Sequence, residues 1–226
     1  MNKSIVKKRT WGIALCGLTI LCVCAVFFVL RNGKQKPVDI VQKSIVMDVS
    51  DPRKLAGLVD YVFVGIVTEK KETLYDVYTE DKAEDDLYAS PYTPYDVYVL
   101  KNLKGNLKTN STLPIVKHGG ETKDQKRIVL DEGDFLPVVG NIYVFSVSVQ
   151  PDGSVLLPGG PEFNKLLAEN KRFSFPKDTA SANALLEEVS FLPACREMMQ
   201  ACRDEFPIDR VRFEAPEKYL STDLKD

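Results

Sequence analysis

Twenty consecutive residues, Trp11 to Leu30 (WGIALCGLTILCVCAVFFVL), carry no charged side chain. As a helix rising 1.5 Å per residue, such a run spans about 30 Å, the thickness of a bilayer's hydrocarbon core. This segment is matched to lipid, so any domain that folds in water must come from the remainder. The rival is a cleaved signal peptide, with Val23 and Ala25 as the small residues before a cut. The apolar run continues through Val26, Phe27, Phe28, Val29 and Leu30, which favours an uncleaved anchor. Lipidation at Cys16, Cys22 or Cys24 fits poorly, because Leu15, Leu21 and Val23 stand where a small residue is wanted.

Charge is unevenly placed around the span. Of 30 Lys and Arg, seven precede Pro37, where there is no acid, so 23 face all 32 acids in the rest, a balance of about −9. Four basic residues precede the span and three follow it, a small positive-inside bias. The expected topology is a single-pass cell-membrane protein with its N-terminus in the cytoplasm and its body outside. An acidic body repels phosphate backbones, so no nucleic-acid partner is expected. The expected partners are the membrane, through residues 11–30, and an unknown extracytoplasmic protein or cell-surface component.

The body opens with a spacer. In SDPRKLAGLVDY, Asp51 is a good helix cap and Pro52 a good first helical residue, so a short helix is expected from Pro52 to about Val59. YVFVGIVTE, Tyr61 to Glu69, reads as a central strand apolar on both faces, with Gly65 permitting a bulge. Six carboxylates between Asp76 and Asp86 read as a solvated loop rather than a calcium site, since the EF-hand spacing and its turn glycine are missing. In TPYDVYVLKNLKG, Tyr95, Val97 and Val99 share one face, and Gly105 ends the strand with freedom to take positive φ. STLPIVKHGG is a strand to about His118, and Pro114 assigns it to an edge or a bulge. Arg127 to Leu130 is a fourth strand. Ile142–Val149 and Ser154–Leu157 flank QPDG as a hairpin. Five or six antiparallel strands in this span suit a small barrel, which leaves no open edge.

Beyond residue 160 the pattern turns helical. Leu185, Leu186, Val189 and Leu192 mark one helix and Pro193 opens another. In the second, Cys195, Met199, Cys202 and Phe206 form a stripe expected to pack on the barrel, the cysteines acting as small hydrophobes. Seven positions apart on one helix, the two thiols are about 10 Å apart, too far to bridge. FPIDRVRFEAPEKYL is expected to be extended or a late strand. The organisation expected is a basic cytoplasmic tail (1–10), a transmembrane signal anchor (11–30), a spacer (31–50), a barrel domain (51–160) and a helical C-terminal extension (161–226). The fold class is mainly β with α additions.

The order DYVFVGIVTE, a variable loop, TPYDVYVLKNLKG, LPIVKHGG and GNIYVFSV resembles an exported β-barrel domain of Gram-positive membrane proteins and lipoproteins. It is similar to OB-like barrels of the netrin and tissue-inhibitor type, over roughly Asp51 to Gly160. Tyr143 and Phe145 depart from the family's spacing in the last motif. Tissue inhibitors act through an N-terminal cysteine that reaches a protease zinc. Here no cysteine lies near the start of the body, so that mechanism does not carry over.

Chemistry is sparse. His118 is the single histidine, beside Gly119 and Gly120, and reads as an exposed turn residue. No G-x-S-x-G occurs, and neither Cys195 nor Cys202 has a histidine close in sequence. A zinc set of His118, Cys195, Cys202 and a carboxylate has suitable ligand types without supporting spacing. LPGGP, Leu157 to Pro161, lacks the Lys-Ser/Thr of a phosphate loop and reads as a turn. No catalytic, cofactor or metal residues are assigned. The reading is a membrane-anchored extracytoplasmic binding or interaction module. The alternatives are an inhibitor-like or enzymatic barrel acting through rim loops, and a structural subunit of a membrane assembly.

Overall fold

The computed structural model describes residues 36–41, 48–78, 89–169, 175–176 and 178–222. The apolar span and most of the acidic loop lie outside the described residues. Among those described, no helix is long and apolar enough to cross a membrane.

The described chain is mainly β, with three α-helices and ten strands in two mixed sheets. Helix α1, Pro52–Leu58, begins as its sequence requires: Asp51 accepts from the Arg53 N–H, and Pro52 takes the first turn. Strand β2, Tyr61–Lys70, is buried on both faces through Val67 and lies between β4, Pro91–Lys104, and β8, Ile142–Val149. The β2–β4 register shifts between Val64 and Gly65, the bulge that the glycine permits. Strand β4 runs further than its sequence pattern indicates, to Lys104. Gly105 then turns at φ +85°, against the Tyr61 ring. A two-residue strand, β3 (Leu74–Tyr75), pairs with the start of β4.

Strand β5, Ser111–His118, pairs antiparallel with β4 along its length, but meets β9, Val155–Leu157, only at Val116 and Lys117. Pro114 therefore has no ladder neighbour on the β9 side, as a residue without an N–H requires. The β8–β9 hairpin turns at residues 150–153, where the Gly153 N–H donates to the Gln150 carbonyl. Because β9 runs parallel to β5, the strands are not all antiparallel as the pattern suggested. The pairings β8–β2, β2–β4, β4–β5, β5–β9 and β9–β8 close into a ring.

Two strands fall outside that ring. Strand β7, Ile128–Asp131, expected in the barrel, instead lies between β1 (Val38–Val41, parallel) and β6 (Gly120–Glu121) in a separate sheet. Strand β10, Asn164–Ala168, extends the main sheet along β8, where a helical extension was expected to begin. Its pattern, NKLLA, is too short to distinguish a strand from a helix by periodicity.

Helix α2, Thr179–Ser190, is capped by Asp178 and Ser181 in a reciprocal box, and α3 spans Pro193–Arg203. The buried stripe of α3 is Cys195, Met198 and Ala201, with Met199 and Cys202 half-buried beside it. Phe206, expected to continue the stripe, lies beyond the helix under the Arg53 guanidinium and is 42% exposed. The helix ends at Arg203, so its periodicity does not reach Phe206.

Both Cys195 and Cys202 are free thiols. Burial pushes both up, against the opposing pull of Lys101 on Cys195 and Lys104 on Cys202, and Cys202 reaches about 11. At neutral pH a polar maleimide should therefore label both slowly, Cys195 the slower, until denaturant is added. Below the ordinary thiol value of about 8.5 folded and unfolded chains both keep the proton. Above it the unfolded chain ionises first, so the contribution of Cys202 to stability should fall as pH rises towards about 11. A Cys202→Ala variant should lose that part of the alkaline decline, measured by denaturant titration at several pH values.

Candidate functional site

Along the paired strands β4 and β5 the ring interior grades from apolar to polar. Val97 stands opposite Leu113, Tyr95 opposite Ile115, and Thr93 opposite Lys117. Leu113, Ile115 and Lys117 alternate along β5, so the two-residue period puts a lysine in an interior position. Lys117 is fully buried. That alternation is legible in LPIVKH, whose burial alternates residue by residue along the strand.

The interior charge is matched. Lys117 Nζ lies 2.5 Å from Asp134 Oδ2, both side chains wholly buried, and donates to the Pro158 carbonyl at 2.8 Å. Asp134 also accepts from the N–H groups of Phe135, at 2.8 Å, and Gly160, at 2.9 Å. One ion pair thus ties β5 to the turn after β7 and to the loop after β9. Thr93 Oγ1 donates to the Gly119 carbonyl at 2.7 Å. Above this layer the Tyr95 phenol is pushed far beyond the ordinary tyrosine range by burial, reinforced by Tyr143 and Asp134.

His118 occupies the opposite face of β5 at the same end. It closes the strand rather than standing in a turn, and its side chain is only 13% exposed. Nδ1 is 3.6 Å from Asp131 Oδ2, and the ring meets Tyr92 edge-on at 5.2 Å. Tyr92 in turn meets Tyr78, whose hydroxyl is 2.8 Å from Ser154 Oγ in the β8–β9 turn. Burial pushes both phenols up. Asp131 and Gly159 also line a cleft of about 370 Å³, together with the acidic Asp48 and Glu162 and the apolar Val49 and Phe163. That volume lies in the range of small-ligand sites.

Gly159 permits this arrangement. A Cβ there would stand 1.6 Å from Asp131 Oδ2 and 3.0 Å from His118 Nδ1. Gly159→Ala should therefore displace the Asp131 carboxylate and part it from His118. The expected result is a shift of the His118 imidazole resonances in proton NMR, with the strand ring intact by circular dichroism. Unchanged resonances would show that the loop moves away instead.

Other arrangements considered from the sequence do not form. Nine positions along β4, about 30 Å of strand, separate Tyr92 beside His118 from Lys101 near Cys195. The thiols and the imidazole lie at opposite ends of that strand. Among the described residues no three His, Cys, Asp or Glu side chains stand together as a metal site. LPGGP is a bend opening a 3₁₀ turn at Pro161–Phe163, and its glycines serve the cleft wall. What the His118 end offers is an acidic, partly apolar recess walled in part by Asp131, whose Oδ2 lies 3.6 Å from His118 Nδ1. No family model and no curated protein matches the chain.

Proposed function

We propose that the protein is a membrane-anchored, extracytoplasmic binding module built on an OB-like barrel, with its recognition surface at the His118 end. The observation that carries this reading is the grading of the ring interior towards Thr93, Lys117 and Asp134, with the Asp131 cleft opening beside it. Buried polar groups held in a fixed network beside a recess suit recognition. Support for the OB-like reading comes from the strand order. Strands β2, β4 and β5 form an antiparallel meander, β9 returns parallel to β5, and β8 joins β9 to β2. A five-stranded Greek-key barrel has this economy. Support for anchoring comes from the uncharged run Trp11–Leu30 between a basic tail and an acidic body.

The test uses the full chain in cells. A photoreactive side chain replacing Glu132, at the cleft, should yield adducts that are absent when the same group replaces Lys218, which lies outside that cleft. Protease added to intact cells with an opened wall should remove the body. Equal adducts from both positions would overturn the recognition surface, and complete protection from a protease that digests a known surface protein would reverse the topology.

A further inference from the structure

The chain after α3 is an extended arm, residues 206–222, with an inverted pattern. In its middle, Arg210 and Arg212 turn inwards while Val211 and Phe213 face outwards. Arg210 and Arg212 both reach Asp60, whose side chain is 4% exposed, while Val211 between them is 73% exposed and Phe213 37%. Arg212 also donates to the Gly57 carbonyl at 2.6 Å and the Val59 carbonyl at 2.9 Å. These carbonyls belong to the C-terminal end of α1, where a helix leaves acceptors unsatisfied and favours a cation. The receiving corner is shaped for a backbone as well as for guanidinium groups. A Cβ on Gly57 would stand 1.8 Å from the Phe206 carbonyl oxygen, so only glycine admits the arm there. The Phe206 N–H donates to the Arg53 carbonyl, and the Ala215 N–H to the Tyr61 hydroxyl. Asp60 holds its own position by accepting from the Val149 N–H at 2.8 Å.

The attachment is made of separate contacts and one isolated bridge, Leu107 with Leu220, rather than a continuous ladder. Only Asp204 and Glu205 connect the arm to α3. The receiving residues lie about 150 positions earlier in the chain, and every contact they make with the arm would be reproduced by the same arm from another copy. We propose that the arm exchanges between two copies of this chain, Arg210 and Arg212 of each seating on Asp60 of the other. A short connection between a packed helix and an extended arm is the element that such exchange requires. Opening the arm strips Asp60 of both guanidinium partners, so a second arm is the occupant best matched to the vacated corner.

Two full-length variants with different tags test this. Asp60→Asn keeps an acceptor for Val149 but removes the charge that receives the arm. Arg210→Gln/Arg212→Gln keeps the corner but disables the arm. Produced together, the first copy's arm fits the second copy's corner. The expected result is that the mixed pair co-purifies, whereas neither variant co-purifies with a differently tagged copy of itself. Mixed pairs no more abundant than self-pairs would overturn the proposal, as would self-pairing of Asp60→Asn at the wild-type level. Both variants must keep Cys195 shielded from maleimide as a check on folding. If Asp60→Asn fails that check, Gly57→Ala replaces it, since its Cβ excludes the arm sterically.

Discussion

Lys117→Met is expected to destabilise the body by about 3–5 kcal/mol, because it leaves the Asp134 carboxylate charged and buried with its cation removed. The substitution conserves length and apolar stem, so packing changes little. What changes is that two N–H groups, from Phe135 and Gly160, are left to hold a charge that three groups held. Asp134→Leu alone should cost a similar amount by stranding the ammonium. The double variant Lys117→Met/Asp134→Leu should recover much of the loss, since replacing a buried pair by apolar groups is often close to neutral. Urea titration of the four proteins checks this. If the double variant is as unstable as the sum of the singles, the two side chains do not act as a pair.

Phe63→Ala is expected to cost a comparable amount, about 3–5 kcal/mol, for an unrelated reason. Phe63 is fully buried on β2, its ring 5.4 Å from that of Phe145 across the β2–β8 pairing. Its edge also fills the space left by the missing side chain at Gly65, where a Cβ would stand 3.0 Å from Phe63 Cε2. Truncation opens a cavity that the bulged strand cannot close by side-chain movement alone. Thermal unfolding should show a lowered midpoint, and Phe63→Leu should lose less. Equal losses for Leu and Ala would place the cost in the aromatic contact rather than in the void.

The limits of the sequence reading are physical. Strands with strong alternation or flanking turns were legible, including the β8–β9 hairpin, the edge character marked by Pro114 and the bulge at Gly65. Pairing was not. Nothing local in RIVL separates a barrel strand from one that pairs with Val38–Val41, some 90 positions earlier. Nor does an apolar periodicity reveal that its helix ends at Arg203, short of Phe206. The candidate site depended on the same missing information. The interior place of Lys117 was written in its two-residue period, but its partner Asp134 and the Gly159 wall come from loops whose approach only the fold determines. A histidine before two glycines looks locally like a turn, whereas His118 closes a strand and is only 13% exposed.

The closing of the strand ring also orders events in time. Strand β2 is apolar on both faces, yet Val64 meets Val144 of β8 across a separation of about 80 positions. A chain emerging from its N-terminus completes the β2–β4–β5 meander first, with one side of β2 still bare. Until the hairpin of β8 and β9 arrives, that side is an adhesive edge, exposed to any other unfinished chain. Folding should therefore be slow relative to helical proteins of this size. Its yield should depend on chain concentration most strongly before residue 157 is free to move.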